Sequence, residues 1–266
     1  MRILLIVDDF LPHSTKVAAK MMHEMALELN AQGHFVIVLT PAPGQKESLL
    51  INEVEGVNTL FFRSGEIKNI GKIKRAINEM LLSANAWKAA DSYFRKNHFD
   101  GIVYYSPSIF FGALVLRLKR LWNCRSYLIL RDIFPQWTVD NGLMKENSLI
   151  HRYFKYFEYR NYAAADRIGV MSPSNLTFMQ ERLPGHSGME VLFNWSDTTE
   201  KSIKVNHYRR ELDLENKTVL FYGGNIGHAQ NMMMLVDLAK RFREQPQIHF
   251  LFVGKGDEVE LILKEK

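Results

Sequence analysis

The chain has 266 residues, 47% hydrophobic and 24% charged, with a formal net charge of +5 and one cysteine, Cys124. That balance is ordinary for a globular protein and supplies a core for one large domain or two modest ones. A single cysteine excludes an intrachain disulfide, no Cys and His spacing suits zinc, and no apolar run reaches membrane-spanning length. A reducing, cytoplasmic setting without a signal peptide is therefore the expectation, because the opening apolar run is too short for one.

Strand-like and helix-like patterns alternate along the chain. Residues 2–7 read as a buried strand, and 14–32 as a helix with Ser14 or Thr15 as N-cap and Gly33 as its stop. Strands follow at 35–39 and 58–62, then a long helical pattern at 67–97, a strand at 102–105, a helix at 108–122 and a strand at 127–131. An aromatic-rich helix at 149–164, a strand at 167–171, a helix opened by Ser172-Pro173 and a short strand at 190–193 complete the series. The polar stretch 196–217 suits a linker with a short helix. A strand at 218–221, a glycine turn, a helix from 230, a strand at 248–253 and a last helix then restart the pattern. Continuous apolar strands separated by helices predict a doubly wound parallel α/β sheet over 1–193. Residues 194–266 are expected to be a linker and a smaller second α/β unit.

Ligands of such sheets bind at the carboxyl ends of the strands. The candidates are therefore Asp8, Asp9, Phe10, Pro12, His13 and Ser14; Thr40; Ser106 and Pro107; Asp132, Phe134, Pro135 and Trp137; Ser172; Asn194; and the glycine-containing stretches 223–227 and 254–257. YGGNIGHAQN, at 222–231, reads as strand, glycine turn and helix start, a backbone nest suited to phosphate. Asp8-Asp9 is reminiscent of a phosphorylation receiver, but no carboxylate follows the third or fourth strand. A dinucleotide fingerprint after the first strand is excluded, because the first glycine is Gly33; Gly223-Gly224-x-x-Gly227 also misses that spacing.

In RDIFPQW, at 131–137, two readings stay open. Arg131 and Asp132 could cap the sheet edge with Trp137 as packing, or Asp132 could stand at a cleft and accept hydrogen bonds from sugar hydroxyls. His13 is likewise open between a cleft-facing and a plainly exposed loop residue. Basic residues gather as Lys68, Lys72, Lys74 and Arg75, and as Arg117, Lys119, Arg120 and Arg125. A solvated face and an anionic lipid surface both fit them, whereas nucleic acid has no accompanying motif.

In collinear order over the whole chain, DDFLPHST, RDIFPQW, FNWSD, YGGNIGHAQN and FVGKGDE resemble retaining GT-B glycosyltransferases of family four. The nearest subgroup is the bacterial surface-polysaccharide enzymes, including fucosaminyltransferase-like enzymes of O-antigen clusters. The resemblance implies two Rossmann-like domains, the first on the acceptor side and the second binding the nucleotide-sugar. It implies transfer of a hexosyl or amino sugar, with retention, to a polyprenyl-diphosphate-linked saccharide in O-antigen, lipopolysaccharide or capsule biosynthesis.

Asp132 and His13 are thereby assigned to catalysis, and Gly223, Gly224, Asn225, Gly227, Gln230, Gly254 and Gly256 to the donor. Pro12, Ser14 and Trp137 fall on the acceptor side. No cofactor or metal is expected, the nucleotide-sugar being a substrate. Asn225 and Gln230 stand where many members carry Arg and Lys, and neutral amides make weaker bonds to phosphate. The family's paired-glutamate motif is not reached within these residues. The second unit is thus expected to be incomplete, with an open sheet prone to self-association, and the alternative to an active transferase is an inactive remnant or half of a split enzyme that needs a partner. The inner face of the plasma membrane is the expected location and an anionic partner surface.

Overall fold

The computed structural model describes residues 1–14, 16–67, 70–199 and 207–265. They divide into two units, Met1–Thr198 and Thr199–Lys266. The alternative cap Thr15, the basic residue Lys68 and linker residues 200–206 lie outside the described residues.

The first unit runs β1 (Arg2–Ile6), α1 (Val17–Ala31), β2 (Phe35–Pro43), β3 (Leu49–Val54), β4 (Val57–Ser64), α2 (Lys72–Met80), α3 (Leu82–Lys96) and β5 (Gly101–Ser106). It continues with α4 (Gly112–Trp122), β6 (Arg125–Leu130), α5 (Gln136–Asp140), α6 (Leu149–Ala164), β7 (Arg167–Val170), α7 (Pro173–Arg182) and β8 (Met189–Val191). The sheet order is β3-β4-β2-β1-β5-β6-β7-β8. Every pair is parallel except β3 with β4.

Strand residues alternate between faces, so a strand covered on both sides must be apolar throughout. Leu4 and Ile6 join Ile37, Leu39, Tyr104 and Leu128 in a core covered by α3, α4, α6 and α7. Ile3, Leu5 and Val7 join Val36, Val38 and Ile129 in a second core under α1. Buried polar groups are bonded across the layers: Tyr104 Oη donates to the Asn161 carbonyl at 2.6 Å, and Trp122 Nε1 to that of Phe94 at 3.0 Å. Each fully buried large apolar side chain contributes about 1.5–3 kcal/mol, so the paired cores fix the register of β1 and with it the loop that follows.

The structure corrects several sequence expectations. An antiparallel hairpin, β3–β4, ends what was expected to be an all-parallel sheet. Its two-residue turn has positive φ at both Glu55 and Gly56, as a type I′ turn requires. The helical pattern at 67–97 breaks at Leu81 into α2 and α3. Helix α1 starts at Val17 with Lys16 as N-cap, and Ser14 Oγ instead accepts the Lys16 amide at 3.2 Å. Helix α4 begins at Gly112, not 108. The second basic cluster is not one surface, because Lys119 Nζ is bound to Asp166 at 2.7 Å and donates to the Ala164 carbonyl, while Arg117 stacks 3.7 Å from the Trp87 ring centre.

The second unit holds α8 (Tyr208–Glu211), β9 (Thr218–Asn225), a 3-10 turn (His228–Gln230), α9 (Met232–Arg241), β10 (Ile248–Lys255) and α10 (Val259–Leu263). β9 and β10 pair in parallel from Thr218↔Ile248 to Asn225↔Lys255. Gly223 and Gly224, expected in a turn, are strand residues opposite Val253 and Gly254. The turn proper is the stretch 226–231.

Candidate functional site

In the first unit the loops leaving β1, β2 and β4 enclose a pocket of about 430 Å³, lined by Asp8, Asp9, Phe10, His13, Thr40, Gln45, Phe61 and Glu66, among others. The loop after β1 is braced from within: Ser14 Oγ donates to Asp9 Oδ2 at 2.7 Å, and Lys16 Nζ lies 3.7 Å from the same oxygen. His13 is exposed and meets Phe61 edge-on, ring centres 6.4 Å apart. Pro12 is exposed after a cis bond to Leu11, and Ser14 is buried. Thr40 Oγ1 and Ser64 Oγ are buried without a hydrogen-bond partner among the described residues. A larger cavity, about 550 Å³, opens beside Ile3, Gly101, Arg125 and Arg167 at the amino ends of the strands. Strand polarity favours the smaller pocket as the ligand site, because parallel sheets bind at their carboxyl ends.

Asp132 does not line that pocket. It follows β6, where its carbonyl accepts from Ser106 Oγ at 3.5 Å. Loss of solvent raises its carboxyl pKa, and Arg131 opposes the rise. Tyr105, buried at the end of β5, links the two places. Burial pushes its hydroxyl up to about 12, with the carboxylates of Asp8 and Asp132 adding to the rise and Arg131 opposing it. Trp137 is 45% exposed on α5 and packs 6.4 Å from Phe134, which follows the other side of the same loop and precedes cis-Pro135. The structure thus places His13 at the pocket and Ser14 behind it on Asp9, whereas Asp132 follows β6, two strands from β1, and Trp137 stands on α5. Sequence reasoning missed Gln45 and Glu66, which line the pocket from the segments just before and just after the hairpin, and Tyr105, whose role depends on which strands adjoin.

In the second unit, Asn225 ends β9 and its Nδ2 donates to Gln230 Oε1 at 2.7 Å, so these two amides bond each other across the turn. Among the described residues the amides of Gly227 and His228 donate to no backbone acceptor. A Cβ at Gly227 would stand 2.6 Å from Asn225 Nδ2 and 2.9 Å from Asp257 Oδ1, so the bare Cα sits against both side chains. The turn also carries negative charge: His228 Nδ1 lies 3.3 Å from Glu258 Oε1, and the other Glu258 oxygen is buried without a partner. Gly254 and Gly256 touch backbone directly, against the carbonyls of Gly224 and Ile226. The turn therefore offers amide donors beside carboxylate acceptors, a set that suits phosphate and hydroxyl together. Among the described residues no cluster of three or more His, Cys, Asp or Glu side chains is placed to hold a metal ion. No helix among them is long and apolar enough to cross a membrane.

A mostly parallel α/β sheet followed by a second βα unit is the fold of the GT-B glycosyltransferases. The catalytic domain of starch synthase IV from Arabidopsis thaliana, solved bound to ADP and acarbose, superposes with a TM-score of 0.67 over 99% of this chain and 70% of its own, at 12% identity. The chain is homologous to WcaI of Escherichia coli (strain K12), named as a colanic acid biosynthesis glycosyl transferase, with 27% identity over 96% of this chain and 66% of WcaI. WbjE of Pseudomonas aeruginosa, named as a glycosyltransferase, is 24% identical over 52% of this chain and 35% of its own length. The chain thus spans less than two thirds of either curated relative. No family model matches the sequence.

Proposed function

We propose that the chain moves a sugar from a nucleotide-sugar donor to a lipid-linked saccharide in cell-surface polysaccharide biosynthesis. The observation that carries this reading is homology to WcaI along 96% of the chain, on a GT-B fold. The finer reading is a retaining, family-four enzyme of the O-antigen, fucosaminyltransferase-like subgroup, acting on a hexosyl or amino sugar without a metal.

Breaking the anomeric C–O bond leaves an oxocarbenium-like sugar and a diphosphate. Fixed amide donors and the amino end of α9 stabilise the charge that develops on that diphosphate. In this reading the Gly227 and His228 amides meet the diphosphate, with Gly223, Gly224, Gly254 and Gly256 keeping the approach clear of side chains. Asn225 and Gln230 exchange their mutual bond for bonds to the donor, and Asp257 takes a donor hydroxyl. On the first unit, His13 and Asp132 take the acceptor hydroxyl and its proton, while Pro12, Ser14 and Trp137 shape the acceptor wall. Retention follows if the acceptor hydroxyl attacks from the face the diphosphate leaves.

The anionic inner-leaflet surface is part of this proposal, and α2 supports it. Ile73 and Ile77 are exposed on α2 beside Lys74 and Arg75. Tyr153 Oη on α6 reaches the Ala76 carbonyl at 3.4 Å, bringing α2 to the helix that begins with exposed Leu149 and Ile150. Apolar side chains beside cations are the composition of an interfacial helix, and here Arg75 also pairs with Glu79 at 2.8 Å. The test is transfer from a panel of nucleotide sugars to synthetic polyprenyl-diphosphate saccharides, reading nucleoside diphosphate release and the anomeric configuration of the product. Product of retained configuration is expected; an inverted product overturns the mechanism, and no turnover with any pair overturns the activity.

A further inference from the structure

Arg131 ends at the carboxyl edge of β6 with 7% of its surface exposed, yet neither Nη1 nor Nη2 has a hydrogen-bond partner among the described residues. Burying a guanidinium with two of its donor groups unsatisfied is costly, and native folds rarely keep such a group without a use. Its flat face is occupied, because the Trp195 ring centre lies 4.9 Å from the guanidinium carbon. Stacking uses the face and leaves the in-plane fork of N–H groups unspent, the geometry that clamps an oxyanion through two parallel bonds.

Trp195 is half-buried on the segment after β8, where it packs against the second core and donates one hydrogen bond, from its Nε1 to the Met21 carbonyl at 3.2 Å. Asp132 and the Tyr105 hydroxyl are the polar groups that act on Arg131. Tyr105 in turn feels Asp8, which lines the 430 Å³ pocket. The unsatisfied fork therefore stands at the same carboxyl edge of the sheet as the pocket, two strands from β1, and behind the half-buried Trp195 ring.

We propose that Arg131 anchors an oxyanion site for a diphosphate-bearing ligand, and that the Trp195 indole covers this site until the ligand arrives. The site is built from residues of the first unit alone. It does not depend on sugar transfer: it needs only a diphosphate, carried by a nucleotide or by a prenyl lipid.

The full chain, titrated with inorganic pyrophosphate at constant ionic strength, gives a saturable change in tryptophan emission, because the Trp195 ring leaves the guanidinium. Trp195→Phe abolishes that change while calorimetry still detects binding. Arg131→Gln weakens binding by about tenfold or more, the scale of a lost bidentate charged pair. Arg131→Lys, which keeps the charge without the fork, falls between and serves if the glutamine variant does not fold. Farnesyl diphosphate and UDP then identify the source: tighter binding of the first assigns the site to a lipid diphosphate, and of the second to a nucleotide. Pyrophosphate binding that is absent, or unchanged in the Arg131 variants, overturns the proposal. An emission change that persists in Trp195→Phe overturns the cover. Either result leaves the transfer assay to stand or fall separately.

Discussion

Replacing Gly256 or Gly254 with alanine tests whether the β9–β10 pairing depends on missing side chains. A Cβ at Gly256 would stand 1.8 Å from the Ile226 carbonyl oxygen, and one at Gly254 1.9 Å from that of Gly224. Carbon and oxygen approach no closer than about 3.3 Å even in favourable contacts, so one strand end must move by roughly 1.4 Å. That shift breaks the bonds from the Ile226 amide to the Lys255 carbonyl at 2.8 Å and from the Glu258 amide to the Ile226 carbonyl at 3.1 Å. Two backbone bonds at about 1 kcal/mol each, with about 1–3 kcal/mol for forced packing, give about 3–5 kcal/mol. Hydrogen exchange resolves this locally, and amides of β9 and β10 should lose protection by roughly a hundredfold to a few thousandfold. Gly224→Ala is the control. Its nearest neighbour would be Tyr222 Oη at 3.6 Å, an ordinary contact, so protection should stay within about tenfold of wild type. Wild-type protection in Gly256→Ala, or equal damage from Gly224→Ala, would refute the reasoning.

Four further outcomes are expected. Glu158 is 1% exposed and bound by Lys155, by Arg182 at 3.4 Å and by Tyr162 Oη at 3.1 Å, so Glu158→Ala should cost about 3–5 kcal/mol in denaturant unfolding. Burial pushes the Asp166 carboxyl up, but Lys119 and the Ser126 amide and hydroxyl more than reverse it and leave the pKa lowered. Its contribution is therefore present above the unfolded value of about 3.9 and is lost as pH falls through the lower folded value. Asp166→Asn should flatten that part of the stability profile. Asp132 is raised instead, so transfer that needs its carboxylate should fail on the acid side at a midpoint above about 3.9, and Arg131→Gln should move that limb higher still. Lys74→Glu with Arg75→Glu should weaken binding to anionic vesicles by more than tenfold, at about 1 kcal/mol per cation near the surface; unchanged sedimentation with the vesicles would remove α2 from the proposal.

The central strands were legible because β1, β2, β5 and β6 are covered on both faces and so read as unbroken apolar runs. Strand β3 was not, since four of its six residues are exposed and its turn is Glu55-Gly56, without the Asn or Asp that usually marks such a hairpin. The break at Leu81 has no Pro or Gly to announce it, and apolar spacing continues across it. Glycines at 223, 224 and 254 read as turn residues, whereas here they let two strands approach. At the candidate site, sheet polarity alone nominates His13, Ser14, Asp132 and the turn at Gly227; of the three in the first unit, only His13 lines the pocket. The Arg131–Trp195 stack joins residues 64 apart, Asn225–Gln230 is a side-chain choice, and Tyr105 matters through neighbours on other strands. None of these has a local signature.

The β3–β4 hairpin bears on how the chain assembles. It is the sole antiparallel pairing among the described residues, and it closes through two residues, whereas the parallel ladders need a whole connecting segment to be threaded first. Local closure gives up the least chain entropy. Pulse labelling during refolding should therefore show residues 49–64 acquiring structure early, as a ready-made border to which β2 and then β1 attach.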